Sequence, residues 1–151
     1  MNLLESLKKI SIIVADTGDI DSIARVKPQD ATTNPSLLLQ AAQNPAYRPL
    51  VDDALAFGMK ARGDRAAKAG ALMEKLSVNF GREILKHVKG RVSTEVDAGL
   101  SFDIEGTLAK ARRLIELYQQ VGMPRQGGDA IGMERASSRD GFDGARDVAG
   151  A

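Results

Sequence analysis

Three segments of this sequence have the composition of short β-strands, and each ends in residues that could do chemistry. The segments and their polar residues are Ser11–Ala15 followed by Asp16, Asp30–Thr33 ending in Thr33 and followed by Asn34, and Arg91–Val96 containing Glu95. In a parallel α/β sheet, ligands bind beyond the carboxyl ends of the strands. Where two carboxylates and a carboxamide face one volume, the carboxylates could transfer protons while the carboxamide positions hydroxyl groups. The sequence therefore predicts a site containing Asp16, Asn34 and Glu95.

Each placement also has a structural explanation. An aspartate directly after a strand, such as Asp16, is commonly a helix cap or turn residue, and Asn34 before a proline is a turn signal. Glu95 is harder to explain in this way. Successive side chains of an extended strand point to opposite faces. Val92, Thr94 and Val96 should therefore face one way, and Ser93, Glu95 and Asp97 the other. A buried carboxylate is costly unless it is paired, so Glu95 must have either a partner or a task.

The apolar periodicity predicts helices between these strands. The predicted elements are a helix over Asn2–Lys9, the strand Ser11–Ala15, a helix capped by Asp19, the strand Asp30–Thr33, a helix over Ser36–Gln43, two helices between Pro45 and Val88 separated at Gly63–Asp64, the strand Arg91–Val96, and a helix capped by Asp103. Strands that alternate with helices indicate a parallel sheet with right-handed crossovers. We therefore predict an α/β fold, in which the apolar first strand is covered on both faces.

Composition narrows the class of protein. With 151 residues, 43% of them apolar, the chain can form one domain with a core. The formal charge of +1 and the lack of long like-charge runs argue against nucleic-acid or membrane partners. The chain has no cysteine for disulfides or thiolate chemistry, and no apolar run long enough for a membrane span or signal peptide. We expect a cytoplasmic protein.

The character of the chain changes after Arg125. Residues 126–151 contain six glycines but only four large apolar side chains, which follow no helical or strand period. We predict a folded region over residues 1–125 and an unstructured tail over residues 126–151. The aspartates of this tail neutralise its arginines and only Phe142 is aromatic, which disfavours a nucleic-acid contact.

Three motifs in fixed order resemble those of transaldolases of the pentose phosphate pathway. They are VADTGD, DATTNPSLLLQAA and GRVSTEVDAGLSFD, and the segments KLSVNFGREILKHV and AKARRLIELYQQVGMP fit the intervening and following helices. The resemblance covers roughly Leu3 to Arg125. It implies the N-terminal part of a (β/α)8 TIM barrel with an extra leading helix, about three βα units long.

The resemblance also implies a transferase that needs no metal or organic cofactor. Such enzymes move a dihydroxyacetone unit from fructose 6-phosphate or sedoheptulose 7-phosphate to glyceraldehyde 3-phosphate or erythrose 4-phosphate through a lysine Schiff base. By position, Asp16 is the acid/base of carbon–carbon cleavage and Glu95 acts through a water on carbinolamine formation and dehydration. Asn34, with Thr33, hydrogen-bonds the dihydroxyacetone hydroxyls. Full-length members are expected to form homodimers.

The lysine segment of the family has no counterpart here. It should follow the VGMPR region, but residues 129–133 read Asp-Ala-Ile-Gly-Met and no lysine follows Lys110. The other lysines weighed as substitutes, namely Lys68, Lys75, Lys86 and Lys89, fall at helical or helix-end positions, which do not provide the burial that a Schiff-base lysine needs. His87, near a helix C-terminus, is not the predicted base.

A complete barrel needs on the order of 250 residues, so the sequence predicts a truncated copy. The bias of the tail toward Gly, Ala, Arg and Asp favours a frameshift near Arg125. Alternatives are an inactive fragment or a small sugar-phosphate-binding α/β module. We expect the third strand to be an unpaired edge and the isolated chain to be marginally stable.

Overall fold

The computed structural model describes residues 2–123 and 131–132, which form a parallel sheet flanked by helices. The elements are α1 (Leu3–Ile10), β1 (Val14–Asp16), α2 (Ile20–Val26), β2 (Asp30–Thr33), α3 (Pro35–Ala41), α4 (Arg48–Lys60), α5 (Arg65–Leu85), β3 (Val92–Thr94), α6 (Ile104–Gln120) and β4 (Ile131–Gly132). Short 3-10 turns cover Pro45–Tyr47 and Ala98–Leu100. The predicted α/β class is confirmed.

The strands lie in the sheet in chain order, β1-β2-β3-β4, and all neighbours are parallel. This topology is consistent with the incomplete N-terminal part of a TIM barrel. The sequence suggested that the third strand is an unpaired edge. This is wrong, because Val92 and Ser93 pair with Ile131 and Gly132. Those two residues of the predicted unstructured tail are thus in a strand. The rest of that tail lies outside the described residues.

The two faces of the sheet have different surroundings. Helix α5 packs against β2 and β3 on one face, where the side chains of Ala31 and Val92 are fully buried. On the opposite face Val14 is 49% exposed, and Ile12 just before β1 is 69% exposed. The prediction that the first strand is covered on both faces is therefore wrong for the described part of the chain, because the helices that pack on the sheet leave this face open.

The buried apolar residues form two clusters that share α5. The larger joins Leu76, Phe80 and Ile84 of α5 to α2, α3 and the sheet. The smaller joins Val78 to Leu114, Leu117 and Tyr118 of α6. α5 therefore packs against both the sheet and α6.

Side-chain caps set the starts of several helices, including α2 and α6. Asp19 accepts a hydrogen bond from the Ser22 backbone (3.1 Å) and Asp103 accepts one from the Gly106 backbone (2.9 Å), which confirms both predicted caps. Such caps satisfy backbone donors that have no partner in the first helical turn. Gly122, with φ of +82°, follows the end of α6 in a conformation that favours glycine. No helix within the described residues is both long and apolar enough to cross a membrane.

A polar contact between α4 and α5 centres on Asn79, which is 2% exposed. Its amide donates to the Leu50 carbonyl and to Asp53, both at 2.9 Å, and Lys75 lies 3.2 Å from the same aspartate. Partial burial acts to raise the pKa of Asp53, but the hydrogen bonds from Asn79 and Lys75 outweigh it and hold that pKa below its usual value.

Acid is expected to destabilise this contact. A carboxyl with a lowered folded-state pKa adds stability above its unfolded value, here near 3.8, and loses it as the pH falls through the folded value. Urea unfolding at about pH 6 and about pH 3 should therefore give a lower midpoint in acid. Asp53→Asn should reduce the difference more than Asp52→Asn, which removes a neighbouring exposed charge on α4. Equal effects of the two variants would contradict this role for Asp53.

Candidate active site

A cavity of about 560 Å³ opens at the carboxyl ends of the strands. Asp16 is the last residue of β1, Asn34 follows β2 and Glu95 follows β3, and all three line this cavity. The remaining lining residues are Pro35, Ser36, Leu37, Val96, Asp97 and Ala98. Adjacent strands lie about 4.8 Å apart, so β1 and β3 lie about 10 Å apart with β2 between them. The structure thus brings the three predicted polar groups around a single volume.

Asp16 is held by a neighbour that sequence reasoning missed. The sheet register aligns Asp16 with Thr32, and Thr32 with Ser93, in one row across three strands. Side chains in such a row point to the same face. The Thr32 hydroxyl donates a 2.8 Å hydrogen bond to Asp16 Oδ1. The hydroxyl is the donor because an ionised carboxylate can only accept. The bond fixes the orientation of the exposed Asp16 carboxylate, which lines the cavity.

Thr33 is not at the cavity, although the sequence suggested that it binds substrate there. It is 1% exposed, and its position next to Thr32 turns it to the helix-covered face. Its register partner is Thr94, whose hydroxyl is hydrogen-bonded to Tyr118. Within the part of the chain that the structure describes, the Thr33 hydroxyl has no hydrogen-bond partner. Because side chains alternate along a strand, Thr32 lies on the same face of the sheet as Asp16, and Thr33 lies on the opposite face.

Asn34 has a structural role at the same time as it lines the cavity. Its Oδ1 accepts a 2.9 Å hydrogen bond from the Leu37 backbone and caps α3, with Pro35 in the first helical position. The sequence suggested a turn signal at Asn34, and the structural role that the residue has is that of a helix cap. Because Oδ1 is used by the cap, the amide Nδ2 is the group left to donate. It has no hydrogen-bond partner among the described residues.

Glu95 is placed by the alternation that the sequence predicted. Val92, Thr94 and Val96 are buried, whereas Glu95 is half-buried and lines the cavity. Its backbone N–H donates to the Thr33 carbonyl at 3.1 Å, which continues the β2–β3 ladder beyond the end of β3. The carboxylate is therefore carried on backbone that the sheet holds in place.

Comparison with known proteins identifies the family to which this arrangement belongs. Residues 13–126 match the family described as Transaldolase/Fructose-6-phosphate aldolase. The chain belongs to this family. The transaldolase resemblance of the motifs is confirmed, and the matched region contains all three strands that carry the site.

Curated transaldolases are similar over most of this chain. Transaldolase A of Salmonella typhimurium is 54% identical over 125 residues, which are 83% of this chain and 40% of that relative. The Sus scrofa transaldolase is 49% identical over 145 residues, 96% of this chain and 42% of its own length. That of Bos taurus is 54% identical over 125 residues, 83% of this chain and 37% of its own length. The chain thus spans about two fifths of these transaldolases.

No lysine of the described residues lines the cavity. Three of those weighed as Schiff-base substitutes are paired elsewhere: Lys75 with Asp53, Lys86 with Glu83, and Lys110 with Glu74. His87 is exposed just beyond α5. The described residues contain no group of three or more His, Cys, Asp or Glu side chains that could hold a metal ion. The cavity offers carboxylates and an amide for proton transfer and hydrogen bonding.

Proposed function

We propose that this chain forms the N-terminal part of a transaldolase active site and that its cavity binds the ketose end of a sugar phosphate. The observation that carries the proposal is that Asp16, Asn34 and Glu95 line one volume at the carboxyl ends of three parallel strands. The matched family name, which includes fructose 6-phosphate, supports the substrate class. The full reaction moves a dihydroxyacetone unit between sugar phosphates of the pentose phosphate pathway.

Asp16 is proposed to accept the proton of the sugar hydroxyl as the adjacent carbon–carbon bond breaks. In the full reaction, the electron pair of that bond moves into a protonated imine between the donor carbonyl and a lysine, a group that the described residues do not place at the cavity. Thr32 donates to Asp16 Oδ1 and leaves Oδ2 as the carboxylate oxygen that can face the substrate. Thr32 is thus a positioning residue for the base.

Asn34 and Glu95 complete the proposed site. The Asn34 Nδ2 group donates to a hydroxyl of the dihydroxyacetone unit, while its Oδ1 remains bound in the cap of α3. The carboxylate of Glu95 acts through a water when the carbinolamine forms and dehydrates. A donor fixed on a helix cap costs little reorganisation when the substrate binds, which favours productive geometry.

A sugar-phosphate-binding module without catalysis is the second candidate. It is favoured by the finding that no described lysine lines the cavity. In that case the same three side chains bind the ligand, but no covalent adduct forms. We also propose a cytoplasmic location, a homodimer of full-length chains, and a folded family region over residues 1–125, to which the structure adds the strand Ile131–Gly132.

Asn34→Asp tests the proposed binding role separately from stability. Aspartate caps helices as well as asparagine does, so the melting temperature should change little. Loss of the Nδ2 donor and the added negative charge should weaken fructose 6-phosphate binding about tenfold, or about 1.4 kcal/mol. Titration followed by amide chemical shifts over residues 32–36 measures both location and affinity. Asp52→Asn is the control and should bind normally. Unchanged affinity of Asn34→Asp would refute the role of Nδ2.

Borohydride reduction in the presence of fructose 6-phosphate separates the two candidates. An imine formed on a lysine is reduced to a stable secondary amine. The modified peptide keeps a three-carbon dihydroxypropyl group if the carbon–carbon bond has been cleaved, or the six-carbon phosphorylated skeleton if it has not. The binding module predicts saturable shifts without an adduct. A trapped lysine that depends on Glu95 would instead establish catalysis by this chain.

A further inference from the structure

Gly18 is a point of close contact between the loop that follows Asp16 and helix α3. It is buried, and a Cβ added to it would lie 2.8 Å from Ala41 Cβ and 2.9 Å from the Leu37 carbonyl oxygen, both on α3. Real Cβ atoms essentially never approach another heavy atom to less than 3.0 Å. Gly18 does not have a positive φ, so the position requires glycine because of space and not because of backbone conformation.

The α3 side of this contact is tied to Asn34 through Leu37. The Leu37 N–H donates to Asn34 Oδ1 at 2.9 Å, and the carbonyl oxygen of the same residue lies against Gly18. Leu37 and Asn34 both line the cavity. A shift of the Leu37 backbone would therefore disturb the cap that orients the Asn34 amide.

The loop side of the contact is restrained both before and after Gly18. Before it, the Thr32 hydroxyl holds the Asp16 carboxylate at 2.8 Å. After it, the Asp19 backbone N–H donates to Thr17 Oγ1 at 3.1 Å, and the Asp19 side chain caps α2. A side chain at position 18 can therefore be accommodated only if the loop or α3 moves by several tenths of an ångström. Either movement changes the position of the carboxylate relative to the amide of the site.

We propose that Gly18 is a positioning residue for the candidate active site. Because it has no side chain, the loop rests directly on Leu37, and this contact sets the distance between the Asp16 carboxylate and the Asn34 amide across the cavity. Two groups act on one ligand together only when their separation matches it. The effect on sugar binding rests on the proposed function, whereas the effect on the cap of α3 does not.

Gly18→Ala tests the proposal, and Gly58→Ala is its matched control. Gly58 is a buried residue of α4, and its added Cβ would lie 2.7 Å from Leu72 Cβ and 2.9 Å from the Lys68 carbonyl oxygen, both on α5. The two substitutions therefore create almost the same overlap, but Gly58 is not among the residues that line the cavity. Both variants should unfold at a lower urea concentration than the parent, since overpacking is destabilising.

Two further measurements should respond to Gly18→Ala alone. Without any sugar present, exchange of the Leu37 amide hydrogen should become about three to ten times faster than in Gly58→Ala, because the cap is disturbed. The dissociation constant of fructose 6-phosphate should rise about tenfold in Gly18→Ala and remain unchanged in Gly58→Ala. Adding Ala41→Gly to Gly18→Ala should reverse part of both effects, because it removes the nearest overlapping atom.

If Gly18→Ala does not fold, the double variant Gly18→Ala/Ala41→Gly is compared with Ala41→Gly, and smaller effects of the same sign are expected because the Leu37 oxygen still overlaps. Equal Leu37 exchange in Gly18→Ala and Gly58→Ala would overturn the proposal. So would an unchanged affinity of Gly18→Ala for fructose 6-phosphate when the parent binds it. A parent that does not bind this sugar would refute the proposed function, and the exchange of Leu37 would then decide alone whether Gly18 positions the cap.

Discussion

Replacing Gly81 with alanine is expected to lower the free energy of unfolding by about 2–4 kcal/mol, through overpacking and the disturbance of a buried hydrogen bond. Gly81 lies on α5 directly beneath the hydroxyl of Tyr118, and a Cβ there would overlap that oxygen. The hydroxyl is 2.7 Å from the Thr94 hydroxyl, and both residues are buried. The added methyl group must push α6 away from α5 or break this bond.

The Tyr118 hydroxyl remains neutral in the folded chain, which makes the bond to Thr94 an uncharged one. Burial raises the pKa of Tyr118 to about 12, and the hydrogen bond to Thr94 only partly opposes this shift. Thr94 directly precedes Glu95, so displacement of Tyr118 also disturbs the backbone that carries the carboxylate of the site.

Gly70→Ala is the matched control for this prediction. Gly70 is on the same helix, but nothing lies within 4 Å of the added Cβ. Alanine should therefore stabilise α5 by about 0.5–1 kcal/mol. Urea unfolding followed by circular dichroism measures both variants. Adding Tyr118→Phe to Gly81→Ala should restore part of the lost stability, because the overlapping oxygen is removed. Similar effects of Gly70→Ala and Gly81→Ala would contradict the proposed overlap.

The parts of the fold that local chemistry determines could be predicted from the sequence. Strand β2 has the predicted bounds, Asp30–Thr33, because Asn34 and Pro35 fix the point where the chain must begin a helix. The caps Asp19 and Asp103 were predictable for the same reason, since each precedes an apolar helical period and uses its own side chain.

The features that depend on pairing between distant segments were not predictable. The apolar residues Ile12 and Ile13 suggested a strand over Ser11–Ala15, but β1 covers Val14–Asp16 because these residues match the register of β2. The same register places Thr32 beside Asp16 and directs Thr33 to the opposite, helix-covered face. Local sequence patterns do not determine this register. A one-residue difference in register moves every side chain to the other face.

Asn34 combines an observed structural role with a proposed chemical one. From the sequence, a turn signal before proline and substrate binding were the competing explanations of Asn34. The structure shows that the cap occupies Oδ1 only. A carboxamide has a separate donor, so the cap fixes the direction in which that donor points. The cap therefore orients the proposed ligand contact.

Phe80→Ala is the second large effect that we expect, with a loss of about 3–5 kcal/mol from the cavity that it creates. The side chain of Phe80 is fully buried at the centre of the larger cluster. Its ring meets that of Tyr47 edge-on, with centroids 5.5 Å apart. Single domains are typically stable by about 5–15 kcal/mol, so the variant should lose a large fraction of its stability and unfold at a markedly lower urea concentration than the parent.

Substitution of Phe80 should also change the conformation of the loop that follows Asp16. The Tyr47 hydroxyl accepts a hydrogen bond from the Ile20 backbone (3.0 Å) and donates one to Asp19 (3.3 Å). Loss of the Phe80 ring removes the support of Tyr47, so α2 loses a contact that fixes its first turn. Phe80→Leu, which keeps part of the volume, should fold and show altered amide shifts over residues 17–21.

Phe102→Ala provides the control for both readouts, because Phe102 is 94% exposed and its removal leaves no cavity. Its free energy of unfolding should remain within about 0.5 kcal/mol of the parent, and the shifts over residues 17–21 should not move. A loss of stability without shift changes in Phe80→Leu would mean that the core supports the sheet without positioning the first loop. A stable Phe80→Ala variant would contradict the central place of this ring in the core.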